Sequence, residues 1–416
     1  MSYFSRQDGE LFVEQISLKK IAKKYGTPCY VYSKAGMEKN WLAYHNSFNK
    51  HPHLICFSVK ANSNLGVLNV LARLGSGFDI VSIGELERVI KAGGDPKKVV
   101  FSGVGKQIYE LERALEVGIK CFNVESEAEM LRLNQVAKSK SLVAPIALRV
   151  NPNVDAKTHP YISTGLMENK FGIEISEAFK LYKEAKNMEH LKIIGVDFHI
   201  GSQITSLDPF LSALDNVILL INDLKNHGID FQHIDIGGGL GISYQKNENP
   251  PLPSDYVDAL FEKLKSLNYE IILEPGRSII GNTGVLLTRV EYLKSNDLKN
   301  FAIVDAAMND LIRPSLYNAF QTIESVEQQD QISEKKYDLV GPVCETADFL
   351  AKSRLLSIES GTLLVVHDSG AYGFSMSSNY NSRPRVAEII VDGTDSFLVR
   401  KREKLQDLFV GESILP

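Results

Sequence analysis

Two hydrophobic rhythms alternate along the chain from about residue 55 to residue 280. Short runs rich in β-branched and aromatic residues read as strands: ICFSVKA (55–61), GFDIVS (77–82), VVFSG (99–103), KCFNVES (120–126), IALRVN (146–151), IIGVDFHIGS (193–202), HIDIGGG (233–239) and EIILEPGRS (270–278). Longer stretches between them place apolar residues at i, i+3 and i+4, the period of an amphipathic helix. Examples are IGELERVIKAGG, KQIYELERALEVG, SEAEMLRLNQVAK, SEAFKLYKEAK and DYVDALFEKLKSL. Several end at glycine, a common helix stop.

Strand-then-helix units repeated in this way imply parallel strands joined by crossover helices. About eight strands over roughly 225 residues match a (β/α)8 barrel of TIM type. A doubly wound open sheet is the alternative, but it would usually carry GxGxxG after its first strand, and none is present there. Past residue 284 the rhythm changes. GVLLTRVEYLK, FAIVDAAM, KYDLVGPV, TLLVVHD and AEIIVDG follow with few helical intervals, as in a mostly antiparallel β domain. TPCYVYS (27–33) is a strand outside the alternation, and pairing with that domain would bring the chain ends together. The expected organisation is a barrel over 36–284, with 1–35 and 285–416 forming an α/β fold's second, β-rich domain.

Composition narrows the function. The 416 residues are 44% hydrophobic and 23% charged, ordinary for a globular protein, and too many for one core. A net charge of −5 speaks against nucleic acid as the main partner. The N-terminus lacks a basic-then-apolar signal pattern, and no apolar run reaches bilayer length, so no membrane partner is expected. Four scattered cysteines without CxxC fit a reducing cytoplasm. Nine histidines without clustered ligand spacing give no reason to expect a metal.

The strand ends carry the chemistry. In a (β/α)8 barrel the active site lies at the C-terminal ends of the strands. Here those ends read Lys60, Asp79, Ser102, Glu125, Arg149 with Asn151, His199 with Ser202, Gly237–Gly239, and Glu274–Pro275–Gly276–Arg277. A purely structural barrel would not gather so many ionisable groups on one rim. The three glycines let backbone amides approach an anion closely, and their spacing suits one phosphate better than a nucleotide. Arg277 can take a phosphate or carboxylate in bidentate fashion. Glu274 can hold a proton on a ring nitrogen, and the planar His199 can stack on an aromatic cofactor. A lysine added to this set suggests pyridoxal 5'-phosphate, with Lys60 as its Schiff-base lysine and the cofactor as electron sink.

FSVKAN, HIGSQ, DIGGGLG, EPGR, GPVCET and SGAYG occur in that order. Together they resemble the fold-type III pyridoxal-phosphate decarboxylases, over about Thr27 to Arg385. The resemblance implies an alanine-racemase-like barrel plus a β domain, and a homodimer with sites at the interface. It implies that Lys60 bonds the cofactor, His199 stacks on the ring and Glu274 meets the pyridine nitrogen. Gly238, Gly239, Gly276, Arg277 and Tyr372 would surround the phosphate. Cys344 would donate a proton from the other subunit. Arg277, Arg313 and Tyr317 would hold a far carboxylate of the substrate, and Glu345 a far amino group. An ordinary thiol titrates at about 8.5, so it can carry a proton near neutral pH. The implied reaction is decarboxylation of meso-2,6-diaminopimelate to L-lysine. Ornithine, arginine and carboxynorspermidine are the rival substrates, and Arg313 would repel the purely cationic ends of the first two. Two positions depart from the family. Phe57–Ser58 stands where a tyrosine is usual, and Ile83 precedes Gly84 in a segment that is usually glycine-rich. Neither is expected to touch a chemical role.

Overall fold

A computed structural model describes residues 3–48, 50–156, 164–165, 169–245 and 247–416. The chain divides into two compact units. One comprises residues 38–242 and 249–279, the other residues 1–37, 243–248 and 280–416.

The first unit is a closed parallel barrel. Its strands are β1 (His53–Ser58), β2 (Gly77–Ile80), β3 (Val99–Phe101), β4 (Cys121–Val124), β5 (Ala144–Asn151), β6 (Leu191–Asp197), β7 (His233–Asp235) and β8 (Glu270–Leu273). Each pairs in parallel with the next. The β8–β1 and β4–β5 ladders complete the circuit, which excludes the open sheet. Helices such as Leu65–Arg73, Ile83–Lys91, Ile108–Val117, Glu127–Ser139, Ile175–Ala185, Asp208–Asn226 and Pro253–Leu264 supply the crossovers. Local sequence sets their ends. The Ser82 and Ser126 hydroxyls accept the Glu85 and Glu129 amides as N-caps, and Gly118 closes a helix at φ 70°.

Strand periodicity explains the interior. Leu54 and Cys56 of β1 join Val100, Cys121, Ala147, Ile194 and Ile272 in one buried apolar cluster. Two residues further along the same strands stand Ser58, Ser102, Asn123, Arg149 and Glu274, all buried. Successive side chains point to opposite faces, so residues two apart share a face. The apolar floor therefore gives way to a polar layer toward the C-terminal rim. On β6 the phase is reset by a bulge between Ile193 and Gly195, which brings Asp197 beside Arg149 in the β5–β6 register.

The strands stop earlier than the hydrophobic runs suggest. β1 ends at Ser58, and Lys60 sits in a 3-10 turn, Val59–Ala61. β6 ends at Asp197, so His199 and Ser202 lie in the following loop. This is the usual arrangement in such barrels, where loops carry the functional groups on a rigid scaffold.

The second unit is a mostly antiparallel sheet. Cys29–Ser33 lies inside it, antiparallel to Gly284–Leu287 and parallel to Ala387–Val391, so an N-terminal strand does join the C-terminal ones. Val31, Val285, Leu287, Val365, Ile389 and Val391 form its core with Leu18 and Ile21 of the helix Leu18–Tyr25. Among the described residues no helix is long and apolar enough to cross a membrane.

Candidate active site

Lys60 leaves β1 in its 3-10 turn with its side chain 37% exposed, and its Nζ lies 2.6 Å from the buried Asp79 Oδ2. The same oxygen accepts the Ser58 hydroxyl at 2.8 Å, and that hydroxyl also lies 3.1 Å from the Glu274 carbonyl. The carboxylate thus holds a partly exposed amine at the mouth of the barrel. Ser58 fixes the carboxylate and ties β1 to the loop after β8. This corrects the expectation that the Phe57–Ser58 departure lies outside the chemistry: Phe57 is buried in the barrel, but Ser58 touches the partner of Lys60 directly.

Beneath the rim lies an acidic layer. The carboxylates of Asp197, Asp235 and Glu274 come within 4.8 Å of one another, all three buried. Burial, reinforced by the neighbouring Asp235, Asp79 and Asp197, pushes the Glu274 carboxyl well above the ordinary range. Burial likewise raises Asp235, to about 7, and Asp197. Arg149 offsets part of this charge, with Nη1 3.0 Å from Glu125 Oε1 and Nε 4.0 Å from Asp197 Oδ2. Glu125 also accepts the amides of Gly103, after β3, and Gly172, after β5. Ser102, held by the Asn123 amide at 3.2 Å, donates to Glu274 Oε1 at 3.4 Å.

The glycine loop follows β7. Gly237 and Gly239 adopt φ of 69° and 115°, which favours glycine. A Cβ at Gly238 would stand 2.2 Å from the Glu274 carbonyl oxygen. Gly276 is also tightly packed, where a Cβ would meet Ser58 and Ala61 at 3.0 Å. The Gly238 amide donates to His199 Nδ1 at 3.2 Å, which leaves the ring proton on Nε2. Burial, with Arg149 and Lys60 nearby, holds His199 well below its usual titration range, so the ring is neutral. Arg277 Nη2 donates to Ser202 Oγ at 3.0 Å, joining the loops after β6 and β8. Gly238→Ala is expected to destabilise the fold by about 1–3 kcal/mol, since the added methyl meets backbone that has no room to yield. Denaturant midpoints check this, and an unchanged midpoint would show that the loop relaxes.

The barrel unit thus brings together Lys60, Asp79, His199, Ser202, Gly238, Gly239, Glu274, Pro275, Gly276 and Arg277. The remaining expected residues lie in the other unit. There Arg313 is buried, its Nη1 2.9 Å from the Tyr244 hydroxyl and its guanidinium 5.0 Å from that ring's centre. Tyr317 ends the same short helix, Arg313–Tyr317, half-buried. Cys344 is exposed, and its amide donates to Asn381 Oδ1. Glu345 accepts the Tyr380 hydroxyl at 2.9 Å. Tyr372 occupies the left-handed region at φ 55°. Sequence reasoning passed over Asp197, Asp235 and Ser58. The available signal was their two-residue spacing from apolar floor positions and from His199 and Gly237.

These features suit pyridoxal phosphate. A buried acid with a strongly raised proton affinity answers a ring nitrogen, a carboxylate-held lysine answers an aldehyde, and a glycine cradle beside Arg277 and Ser202 answers a phosphate. They define a TIM-type pyridoxal-phosphate enzyme. Residues 34–281 match the family described as pyridoxal-dependent decarboxylase, pyridoxal binding domain. Over their whole lengths, the diaminopimelate decarboxylases of Vibrio cholerae and Pseudomonas aeruginosa are 59% and 58% identical to this chain. The crystal structure of diaminopimelate decarboxylase from Helicobacter pylori complexed with L-lysine superposes with a TM-score of 0.91 at 43% identity, covering 94% of this chain and 98% of that one. The chain belongs to the diaminopimelate decarboxylase family of pyridoxal-dependent decarboxylases.

Proposed function

We propose that this protein decarboxylates meso-2,6-diaminopimelate to L-lysine and carbon dioxide, the last step of lysine biosynthesis, in the cytoplasm. The observation that carries the reading is Lys60 paired with the buried Asp79 at the rim of the barrel, with the buried, raised Glu274 in the polar layer beneath, in a chain similar over its full length to diaminopimelate decarboxylases. Its relative from Helicobacter pylori was crystallised with L-lysine, the product of this reaction.

Bound pyridoxal phosphate supplies an electron sink for the bond broken as carbon dioxide leaves. The protein's own groups do the rest. Lys60 would hold the cofactor covalently, and Asp79, whose Oδ2 lies 2.6 Å from the Lys60 Nζ, would keep that amine beside the site. Glu274 provides the proton on the ring nitrogen. The neutral His199 offers a flat, uncharged face for stacking. Ser202, Gly238, Gly239, Gly276 and Arg277 surround the phosphate, Pro275 shapes their turn, and Tyr372 adds a hydroxyl. The protein acts as a homodimer, in which the partner subunit's Cys344 delivers a proton to the carbon that has lost its carboxylate, and the partner subunit's Glu345 takes the distal ammonium. Arg277, Arg313 and Tyr317 take the distal carboxylate.

That distal set favours an end bearing both charges over a bare cation. Released carbon dioxide should therefore be found with diaminopimelate and fall to background with ornithine, arginine and carboxynorspermidine. Release from ornithine but not from diaminopimelate overturns the assignment.

A further inference from the structure

Five buried carboxyls converge on the polar layer: Asp79 from β2, Glu125 from the end of β4, Asp197 from β6, Asp235 from β7 and Glu274 from the end of β8. Two cations face them, Lys60 from the turn after β1 and Arg149 from β5. The thiols of Cys56 and Cys121 close the layer below, and burial raises both so that they stay neutral. Lys60 is committed to Asp79, and Arg149 lies between Glu125 and Asp197. Among the described residues neither Asp235 nor Glu274 forms an ion pair. A pair of buried like charges without a cation is strongly disfavoured, and such pairs share a proton.

The hydrogen bonds show where the proton sits. Asp235 Oδ1 accepts the Gly237 amide at 3.0 Å. Its Oδ2 is buried and has no donor among the described residues unless a carboxyl supplies one. Buried acceptors are seldom left without a donor. Asp197 is the direct cross-strand neighbour of Asp235 and burial raises it too, but the Arg149 guanidinium beside it pulls toward its charged form. Glu274 Oε1 accepts the neutral Ser102 hydroxyl at 3.4 Å.

We propose that Asp235 is a positioning residue for Glu274: its free oxygen accepts the hydrogen bond of a protonated Glu274 carboxyl, which fixes that side chain and keeps one proton on the pair. Burial raises Asp235 to about 7, and hydrogen bonds from the Gly237 amide and Glu274 pull against that rise. The consequence rests on the reading of Glu274 as the partner of the ring nitrogen. The cofactor then meets an acid that already carries the proton its nitrogen needs. Glu274 would thus be the residue that holds the proton for that nitrogen.

The shared proton is read on the cofactor-free protein by infrared spectroscopy. A protonated carboxyl has a C=O stretch that an ionised one lacks, and Glu274→Gln removes the group in question. The wild-type minus E274Q difference spectrum should show this band at neutral pH and lose it on alkaline titration. In the same difference taken on an Asp235→Asn background, the midpoint should fall by at least about one pH unit, because a like charge next to Glu274 is gone. A difference spectrum without the band at neutral pH overturns the proposal, and this arm needs no Asp235 variant to fold. A midpoint unmoved by D235N overturns it as well. The ring-nitrogen reading fails separately, if E274Q with cofactor bound keeps the wild-type visible absorbance and turnover.

Discussion

Lys60→Ala is expected to lower turnover by at least about 10³-fold, the scale on which a covalent catalytic group is missed. The argument is geometric. Lys60 is the ammonium that leaves β1 toward the rim with an exposed tip, and Asp79 Oδ2, which it meets at 2.6 Å, is fixed in turn by Ser58. Lys106, by contrast, spends its ammonium on the Gly103 and Asn123 carbonyls and on Glu129, with a side chain only 1% exposed. The covalent role is checked by borohydride reduction. The wild type should keep its cofactor through denaturation and K60A should release all of it. Cofactor fixed to the variant in wild-type amount would overturn the role. The fold should survive, because the removed side chain is more than one-third exposed and leaves no cavity.

Most of the architecture is legible because two physical periods coincide. Strand alternation sets an apolar floor at Cys56, Val100, Cys121 and Ala147, and the same alternation puts Ser58, Ser102, Asn123 and Arg149 on the floor's open side. The helical period between the strands then allows only parallel crossovers. Legibility fails where the backbone breaks the period. Alternation alone would put Asp197 on the face opposite Ile194. The bulge at 193–195 turns both inward, and an inserted residue leaves no mark in the pattern of side chains. Lys60 fails differently. Its run ICFSVKA reads as one strand, whereas the chain turns at Val59 so that the amine clears the rim. Asp235 is hidden by the louder signal beside it, three glycines that draw the eye to an anion site. The loop carrying Cys344 and Glu345 has no period, and only its resemblance to a family motif marks it. The two barrel residues to which the proposal gives most of the chemistry, Lys60 and Glu274, lie just past the ends of strands, where pattern alone says that an element has stopped.

Cys344→Ala is expected to reduce turnover by about 10²–10⁴-fold, the usual worth of a positioned proton donor, while leaving cofactor binding intact. Cys344 is exposed in this subunit, and its backbone is pinned by the Asn381 side chain, so loss of the thiol should not disturb packing. The proposed dimer makes a sharper demand. Each site would use the Lys60 of one subunit and the Cys344 of the other. Inactive K60A and C344A proteins, dissociated together and allowed to exchange subunits, would form mixed dimers. In these, one site carries both defects and the other carries neither. Random exchange makes about half of the dimers mixed, each with one intact site of two, so recovery should approach roughly one quarter of wild-type turnover. Sites built from a single chain would give no recovery, because every site would keep one defect. Cofactor absorbance separates the two ways of failing. C344A should show the wild-type band throughout, and loss of that band in C344A would assign the residue to cofactor binding instead of proton delivery.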